Sequence, residues 1–318
     1  MTGRIHRSGN NVMRYFAISD LHVDFYFSYA VKPQRWKKED PDEDVVVDTL
    51  DYIWRTFGLP LDVDGIIVGG DIANDYLTTV RTIAWLSGKY KAVYFVVGNH
   101  DMGVRGGTPS KSNLQFASSE MKLAAIRDFV DTLPNRNCHL MEGDSVYGSI
   151  AGCMGMCDFL CEAPSYGPDK FTKWKRNWYD GKHWRYFNQV PQKIWAHYDR
   201  MLTDIVKKKP KVVVTHFVPY ELGVAFEFRN DPWNYVFYFN GQKFFEELDD
   251  DSYWICGHVH GRRRAEYVNS KGNRIHIVCN PLGYPGDVSP YCDLVDYTGE
   301  KLERTSITVS NSDFILEI

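Results

Sequence analysis

The chain lacks the long apolar runs that are typical of membrane proteins. No stretch of its 318 residues approaches the roughly 18 consecutive apolar residues that a membrane-spanning helix needs. Residues 1–12 are polar and basic, without the apolar centre of a secretory signal, and we interpret them as an N-terminal extension. These absences predict a cytoplasmic protein with no membrane partner and with one domain over residues 13–318.

Cysteine is present, but not in the dense spacing of a disulfide scaffold. The seven cysteines are an odd number spread over a long chain, which is typical of a reducing compartment. Cys153, Cys157 and Cys161 recur every four residues, which differs from the spacing of structural zinc sites, so we predict small buried thiols. The net charge of −4 argues against general nucleic-acid binding but is compatible with a local basic face.

The chain is rich in apolar residues (44%) and aromatic residues (15%), which indicates a folded globule with an ample core. Apolar residues at helical spacing predict helices over residues 45–57, 76–86, 113–133 and 191–208. Residues 145–156 indicate a hairpin or a buried strand pair, 264–279 a hairpin, and 294–318 further strands. This strand–helix alternation favours an α/β fold with a largely parallel sheet covered by helices.

Five short apolar runs each end at a residue that can bind a metal ion. They are followed by Asp20 and His22, by Asp71, by Asn99, His100 and Asp101, by His216, and by His258 and His260. In open α/β sheets the functional residues lie beyond the carboxyl ends of the strands, so we expect these side chains to meet in one site. The nearby residues Asp24, Asn74 and Asp75 are predicted to be helix caps or turn formers.

The chemistry of these side chains indicates a transition-metal site. Carboxylate, amide and imidazole groups form a mixed oxygen and nitrogen ligand set, which suits Mn, Fe, Zn, Co or Ni better than Ca or Mg. No cysteine lies at these strand ends, which argues against a thiolate zinc site.

The ordered series Asp20-x-His22, Gly70-Asp71, Gly98-Asn99-His100-Asp101, His216 and Gly257-His258-x-His260 resembles the calcineurin-like metallophosphoesterase superfamily. The segment 280–285, Asn-Pro-Leu-Gly-Tyr-Pro, is similar to the one that follows the last motif in bacterial members. The resemblance implies a four-layer α/β/β/α sandwich with two mixed sheets and a dinuclear metal site at the carboxyl ends of the strands.

The resemblance also implies a role for each of these side chains. Asp20, His22 and His260 would hold one metal, Asn99, His216 and His258 the other, and Asp71 would bridge the two. The cofactors would be two divalent transition metal ions, with Mn favoured. His100 would act as an acid on the leaving oxygen, and Asp101 would orient it.

The implied activity is hydrolysis of a phosphate ester by metal-bound hydroxide. The substrate would be a small phosphate ester or a nucleotide, and a nucleic acid is not indicated by the charge. Residues 70–75 lack the arginine that protein phosphatases carry in this motif, which argues against a protein substrate. A phosphodiester is favoured slightly over a phosphomonoester. The alternatives are a phosphomonoesterase, a nucleotide pyrophosphatase, and a non-catalytic protein-interaction module.

Residues 157–190 interrupt the regular pattern and are interpreted as an insertion within the domain. The stretch 170–200 carries eight Lys or Arg against two Asp, interleaved with aromatic residues. Such a stretch can bind a nucleotide by stacking and charge, or it can form an aromatic mini-core covered by Lys and Arg stems. Under the first interpretation Trp174, together with Tyr220 and Arg262, would contact the substrate.

Overall fold

The computed structural model describes residues 12–31, 42–104, 115–143, 145–160, 170–224, 231–287, 289–297 and 302–318. Residues 1–11, which make up nearly all of the expected N-terminal extension, therefore lie outside the described residues, as does Cys161.

The first of two β-sheets has five strands in the order β12-β1-β2-β3-β4. The strands are β1 (Arg14–Ile18), β2 (Gly65–Val68), β3 (Ala92–Phe95), β4 (Cys138–Leu140) and β12 (Ile315–Glu317). Strands β1 to β4 run parallel, and β12 pairs antiparallel with β1. The carboxyl ends of β1, β2 and β3 therefore lie side by side at one edge of the sheet.

The second sheet has seven strands in the order β11-β10-β8-β9-β7-β6-β5. They are β5 (Ile150–Gly152), β6 (Val212–Val214), β7 (Ser252–Cys256), β8 (Arg263–Val268), β9 (Arg274–Cys279), β10 (Tyr291–Tyr297) and β11 (Leu302–Thr308). Strands β5, β6, β7 and β9 run parallel, whereas β8 and β9 form the expected antiparallel hairpin. Both sheets are therefore mixed.

The core is divided into layers by the alternation of side chains along the central strands. Tyr15, Ala17 and Ile67 point to one side, into a cluster that also contains Val214 and Ile255 of the second sheet. Their neighbours on β1 and β2 belong to a separate cluster that includes the apolar faces of the helices. Because successive strand residues face opposite sides of a sheet, this division places the two sheets face to face with helices outside. The α/β/β/α sandwich is confirmed.

The helices are α1 (Phe27–Ala30), α2 (Glu43–Phe57), α3 (Tyr76–Lys89), α4 (Ser119–Thr132), α5 (Lys170–Asn177), α6 (Tyr179–His183), α7 (Pro191–Val206) and α8 (Gln242–Phe245). Asp42, Asp75 and Ser118 cap α2, α3 and α4 by accepting a hydrogen bond from a backbone N–H of the first turn. The capping role predicted for Asp75 is confirmed. Among the described helices, none has the length and apolarity that crossing a bilayer requires.

The structure corrects several boundaries. Residues 145–156 hold one strand, β5, which pairs in parallel with β6. The hairpin expected there is reduced to a tight turn, in which Tyr147 and Ile150 form a single antiparallel bridge. Helix α4 begins at Ser119 because Ser118 caps it, six residues later than expected. The last strand, β12, follows β11 of the second sheet along the chain but pairs with β1 at the edge of the first sheet.

Cys153 and Cys157 are buried free thiols, as predicted.

Candidate metal centre

The ligands predicted from the sequence converge where the two sheets bring their strand ends together. Asp20 and His22 follow β1, Asp71 follows β2, and Asn99 and His100 follow β3. The second sheet contributes His216 after β6 and His258 and His260 after β7. Since both sheets contribute, the site lies across the top of the sandwich.

Glycines before the ligands allow the backbones of neighbouring strands to approach closely. A Cβ atom on Gly98 would lie 2.1 Å from Asp71 Oδ1, and one on Gly257 would lie 2.7 Å from Asp20 Oδ2. Gly70 has a φ of +89°, and a Cβ atom there would lie 2.7 Å from His216 Nδ1. A side chain at any of the three positions would displace a predicted ligand.

Four of the seven predicted ligands have a left-handed backbone. The φ angles are 52° at Asp20, 42° at His22, 54° at Asp71 and 70° at His258. Such angles are uncommon outside glycine, cost of order 1–3 kcal/mol each, and cluster at functional sites. The strand ends are therefore held in conformations that the surrounding structure must stabilise.

One half of the centre is formed by Asp20, His22 and His260. The Nε2 atoms of His22 and His260 lie 3.2 Å apart, and His260 Nε2 lies 3.7 Å from Asp20 Oδ1. Asp71 Oδ2 lies 3.6 Å from His22 Nε2 and so faces this group. The side chains assigned to one metal are thus brought together.

The other half is formed by Asn99, His216 and His258. Asn99 Oδ1 lies 2.7 Å from His216 Nε2 and 3.0 Å from His258 Nδ1. The second carboxylate oxygen of Asp71, Oδ1, lies 3.5 Å from His216 Nε2. Asp71 therefore directs one oxygen to each half, as a bridging ligand would.

Hydrogen bonds from the outer nitrogens of three imidazole rings fix which nitrogen faces the centre. His216 Nδ1 donates to Gly69 O (2.9 Å), and His258 Nε2 donates to Val236 O (3.2 Å). His260 Nδ1 lies 2.8 Å from Asp287 Oδ2. In each ring the nitrogen directed at the centre is left with a free lone pair, the arrangement that metal-binding histidines show.

The electrostatics of the cluster suit a cation. Burial lowers the pKa of His22 and His216 well below its usual range and that of His258 to about 3, so these rings are neutral near pH 7. Burial raises the pKa of Asp20 to about 6 and that of Asp71 well above its usual range. Imidazole nitrogens with lone pairs and two buried carboxyl groups therefore converge on one place, and Asp20 Oδ2 is buried without a hydrogen-bond partner. The donor set therefore fits divalent metal ions.

His100 lies beside the ligands but is held differently. Its Nδ1 atom contacts Asn74 Oδ1 at 2.7 Å, its ring stacks on Tyr179 at 3.9 Å, and its Nε2 atom lies 3.5 Å from the Tyr284 hydroxyl. His100 Nε2 also lies 4.0 Å from Asp71 Oδ2. The ring thus presents Nε2 to the space above the predicted metal ligands.

The expected role of Asp101 is corrected by these contacts. Its carboxylate accepts hydrogen bonds from the backbone N–H groups of Ile72, Ala73 and Gly98, and from the hydroxyl of Thr79. Asp101 therefore fixes the loops that carry Asp71 and Asn99, whereas Asn74 orients His100. Asn74 and Asp24 were expected only to form turns, and nothing in their spacing indicated this contact.

A cavity of ≈ 550 Å³ opens above the ligands. Its walls include Trp178, Tyr179, Phe237 and Tyr284, and its floor includes Asp71, Asn99, His258 and His260.

Trp174, Tyr220 and Arg262 do not line this cavity. Trp174 is fully buried against Phe159 and Trp184, and Tyr220 packs on Phe245 and Tyr267. The Arg262 guanidinium lies over the Phe314 ring and donates to Asn311 Oδ1. The insertion contacts the cavity through Trp178 and Tyr179 instead.

The insertion also supports a predicted metal ligand. The buried carboxylate of Asp180 accepts a hydrogen bond from Asn99 Nδ2 at 2.8 Å, and Trp184 Nε1 donates to the backbone oxygen of Asn99 at 2.7 Å. Sequence reasoning missed Asp180 and Asp287. The only available signal was an acidic residue within an aromatic or glycine-rich segment, which many surface loops share.

The chain matches a family of known proteins and is similar to solved structures. The family model described as calcineurin-like phosphoesterase matches residues 13–262. The crystal structure of phosphopantetheinyl hydrolase from Mycobacterium tuberculosis is similar at a TM-score of 0.54 and 16% identity, over 86% of this chain and 90% of that one. A metallophosphoesterase from Sphaerobacter thermophilus is 13% identical at a TM-score of 0.33, over 89% of this chain and 82% of that one.

No curated protein matches the chain. The family model covers well over half of the sequence, and its range includes all the predicted metal ligands. The chain belongs to the calcineurin-like phosphoesterase family, whose members hydrolyse phosphate esters with metal ions.

Proposed function

We propose that this protein hydrolyses a phosphodiester, with two divalent metal ions held by Asp20, His22, Asp71, Asn99, His216, His258 and His260. The proposal rests on one observation above all: the two carboxylate oxygens of Asp71 face two separate groups of predicted ligands, at 3.6 Å from His22 Nε2 and 3.5 Å from His216 Nε2. When bound, the ions would activate a water molecule and neutralise the phosphate charge.

His100 is proposed to serve the leaving group. Its Nε2 atom points into the cavity, next to the Tyr284 hydroxyl. Burial lowers the pKa of His100, and the hydrogen of the neutral ring lies on Nδ1 beside Asn74 Oδ1. His100 would therefore act as an acid only after Nε2 takes up a second proton, which it would then pass to the ester oxygen. Burial raises the pKa of Tyr284, which keeps its hydroxyl a hydrogen-bond donor to a phosphate oxygen. Positioned acids of this kind contribute roughly 10²–10⁴ in rate.

The preference for a diester over a monoester is supported by the charge of the cavity. The described residues that line it include no Lys or Arg. The extra negative charge of a phosphomonoester dianion would therefore have only the metal ions to balance it, whereas a diester carries a single charge. The rim residue Asp287 adds a further carboxylate.

The experiment compares bis(4-nitrophenyl) phosphate with 4-nitrophenyl phosphate, using metal-free protein and protein reloaded with Mn, Co, Ni or Zn. We expect activity only with metal, Mn being the favoured ion, and a higher kcat/KM for the diester. His216→Ala should lose metal. His100→Ala should keep metal but lose about 10²-fold or more in kcat on an ester with a poor, alkoxide leaving group, which needs a proton as it departs. His139→Ala is the matched control, since His139 packs between Tyr94 and Tyr147 away from the cavity.

Each unfavourable outcome has a separate meaning. A higher kcat/KM for the monoester would overturn the diester preference and favour a phosphomonoesterase. Hydrolysis of neither ester with any of the four metals would overturn catalysis itself. That result, combined with less than one bound metal per chain, would favour the non-catalytic interaction module.

A further inference from the structure

We infer that Lys122 is a positioning residue for the hydrolysis, because its ammonium group ties together the two loops that carry His100 and Asn74. This inference rests on the proposed function, since the position of His100 matters only if the protein hydrolyses an ester. Lys122 does not line the cavity, so it would act through His100 and not on the substrate itself.

Lys122 lies where a lysine is costly. It is the fourth residue of α4, close to the positive end of the helix dipole, and its side chain is completely buried. Lysine is almost never fully buried unless its ammonium group is paired. Burial lowers the pKa of Lys122 to about 8, whereas the nearby carboxylates of Asp101, Asp75 and Asp24 favour the charged form. The side chain is therefore a buried cation near pH 7, at a position where an apolar residue would avoid the cost of burying a charge.

The Lys122 ammonium group joins two loops that follow neighbouring strands. Its Nζ atom donates to the backbone oxygen of Asn74 at 2.9 Å, in the loop after β2, and to that of Gly103 at 3.0 Å, in the turn after β3. The backbone N–H of Gly103 in turn donates to the backbone oxygen of His100 at 3.1 Å. Each loop therefore carries one member of the His100–Asn74 pair, and Lys122 contacts both loops.

The side chains that Lys122 holds in place are closely packed. Asn74 Oδ1 lies 2.7 Å from His100 Nδ1 and accepts from the Tyr179 hydroxyl at 2.9 Å. A Cβ atom on Gly103 would lie only 2.5 Å from that hydroxyl, so the two loops and Tyr179 leave little room for adjustment. A displacement of about 1 Å can cost about 10²-fold in rate. Loss of the shared donor would therefore disturb the His100 ring without touching it.

Asp101 and Lys122 bind the same two loops through opposite groups. The Asp101 carboxylate accepts from the backbone N–H groups of Ile72 and Gly98, close to the predicted metal ligands. Lys122 donates to backbone oxygens further along the same loops, close to His100. Because these two contacts lie at different places, removal of the Lys122 ammonium group should affect proton transfer by His100 but spare the metal ions.

The test compares two methyl diesters that differ only in the leaving group. Methyl 4-nitrophenyl phosphate releases a phenolate that departs without a proton, whereas methyl 2,2,2-trifluoroethyl phosphate releases an alkoxide that needs one. Absorbance follows the first product and fluorine NMR the second. Lys122→Met should lower kcat on the trifluoroethyl ester by about 10–100-fold and on the nitrophenyl ester by less than about threefold. KM for both esters and the metal content should stay unchanged.

The dependence on His100 is tested in a second background. In His100→Ala protein, Lys122→Met should cause no further loss on the trifluoroethyl ester, because the side chain that Lys122 positions is already absent. If Lys122→Met protein does not fold, as judged by circular dichroism, Lys122→Gln takes its place. Its uncharged amide keeps N–H donors on a slightly shorter side chain, and the same dependence on the leaving group is expected.

Asn269→Ala is the control for a general loss of stability. Asn269 is also buried and its Nδ2 atom donates to the backbone oxygen of Phe245 at 3.0 Å, outside the cavity. This variant should leave the ratio of the two rates unchanged. Equal losses on both esters in Lys122→Met, no loss on either, or a further loss in the His100→Ala background would overturn this inference while leaving the hydrolysis intact. Hydrolysis of neither ester by the unaltered protein, with any of the four metals, would instead be a failure of the proposed function.

Discussion

The Nδ1 atom of His100 lies 2.7 Å from the Oδ1 atom of Asn74. Asn74 is itself held by Asp24, whose two carboxylate oxygens accept from Asn74 Nδ2 at 2.7 Å and from its backbone N–H at 3.4 Å. Because the carboxylate must face the amide NH₂ group, the amide oxygen is turned towards His100. The hydrogen on His100 is therefore fixed at Nδ1, and Nε2 faces the cavity.

The first prediction concerns this chain of contacts. Asn74→Ala should lower kcat by roughly 10–100-fold without changing metal content, because the ring loses the contact that fixes its orientation. Asp24 acts through Asn74, so the double variant Asp24→Ala/Asn74→Ala should be no slower than Asn74→Ala alone. Steady-state kinetics with metal analysis measure both effects. The control is Asn135→Ala, because Asn135 donates to the backbone oxygen of Ser87 and does not line the cavity. Multiplicative losses in the double variant, or an equal loss in this control, would contradict the coupling.

The second prediction concerns the support that the insertion gives to the metal centre. Asp180 accepts from Asn99 Nδ2, which directs Asn99 Oδ1 at His216 and His258. Asp180→Ala should weaken binding of one metal ion by about 10–100-fold, the usual effect of removing a partner of a metal ligand. Titration of metal-free protein with Mn or Zn, followed calorimetrically, measures the change.

The matched control for Asp180 is Asp158, which is also buried in the insertion. Its carboxylate accepts from the backbone N–H groups of Leu160 and Asn240 and does not contact a predicted ligand. Asp158→Ala should lower the free energy of unfolding by about 1–3 kcal/mol, since buried donors lose their partner, but leave metal affinity unchanged. Equal losses of metal affinity in the two variants would mean that Asp180 affects metal binding only through the stability of the fold.

Much of the site could be predicted because its information is local. Each predicted ligand directly follows a short apolar run, and parallel strands carry the ends of such runs to the same edge of a sheet. Glycine precedes Asp71, Asn99 and His258, where a Cβ atom would collide with a neighbouring strand. The strand ends that carry the predicted ligands were therefore readable from the strand pattern, whereas the two mixed sheets and the role of each ligand were implied by the resemblance in motif order.

The contacts between distant segments could not be predicted in this way. Asp180 lies 81 residues from Asn99, and no periodicity connects them. Trp174 was expected at the cavity, but its side chain is buried in the core. Trp178 is the residue between α5 and α6, and its backbone is extended. The helical spacing of side chains is therefore interrupted there, and the spacing in the sequence does not predict which Trp reaches the cavity. Strand β12 has only three residues, and its pairing with β1 depends on tertiary packing.

The third prediction concerns protons released on metal binding. Burial raises the pKa of Asp20 to about 6 and that of Asp71 well above its usual range, so in the metal-free protein both carboxyl groups retain their protons to a higher pH than an exposed Asp does. A bound cation must displace these protons. His216 and His258 have lowered pKa values, so their rings are already neutral near pH 7 and release no proton when a metal ion binds.

Proton release should therefore increase as the pH falls from 8 to 6, and metal affinity should fall in parallel, because the slope of log K against pH equals the number of protons released. Calorimetry in buffers of different ionisation enthalpy measures this number. Asp24→Asn is the control: the pKa of Asp24 is raised to about 7 by burial, but Asp24 is not a predicted ligand. Constant release between pH 6 and 8, or release that disappears in Asp24→Asn, would contradict this origin of the protons.

The last prediction concerns the approach of two strands at Gly98. A Cβ atom there would lie 2.1 Å from Asp71 Oδ1 and 2.3 Å from the backbone nitrogen of Asp71, so Gly98→Ala must displace the bridging ligand. We expect loss of metal binding and a destabilisation of about 1–3 kcal/mol from overpacking. Gly88 lies in α3 with no atom within 4 Å of a Cβ position, so Gly88→Ala should instead stabilise the fold by about 0.4–1 kcal/mol and keep both metals. Thermal unfolding with metal analysis compares the two variants, and a Gly98→Ala protein that binds metal normally would show that Asp71 does not bridge the two halves of the centre.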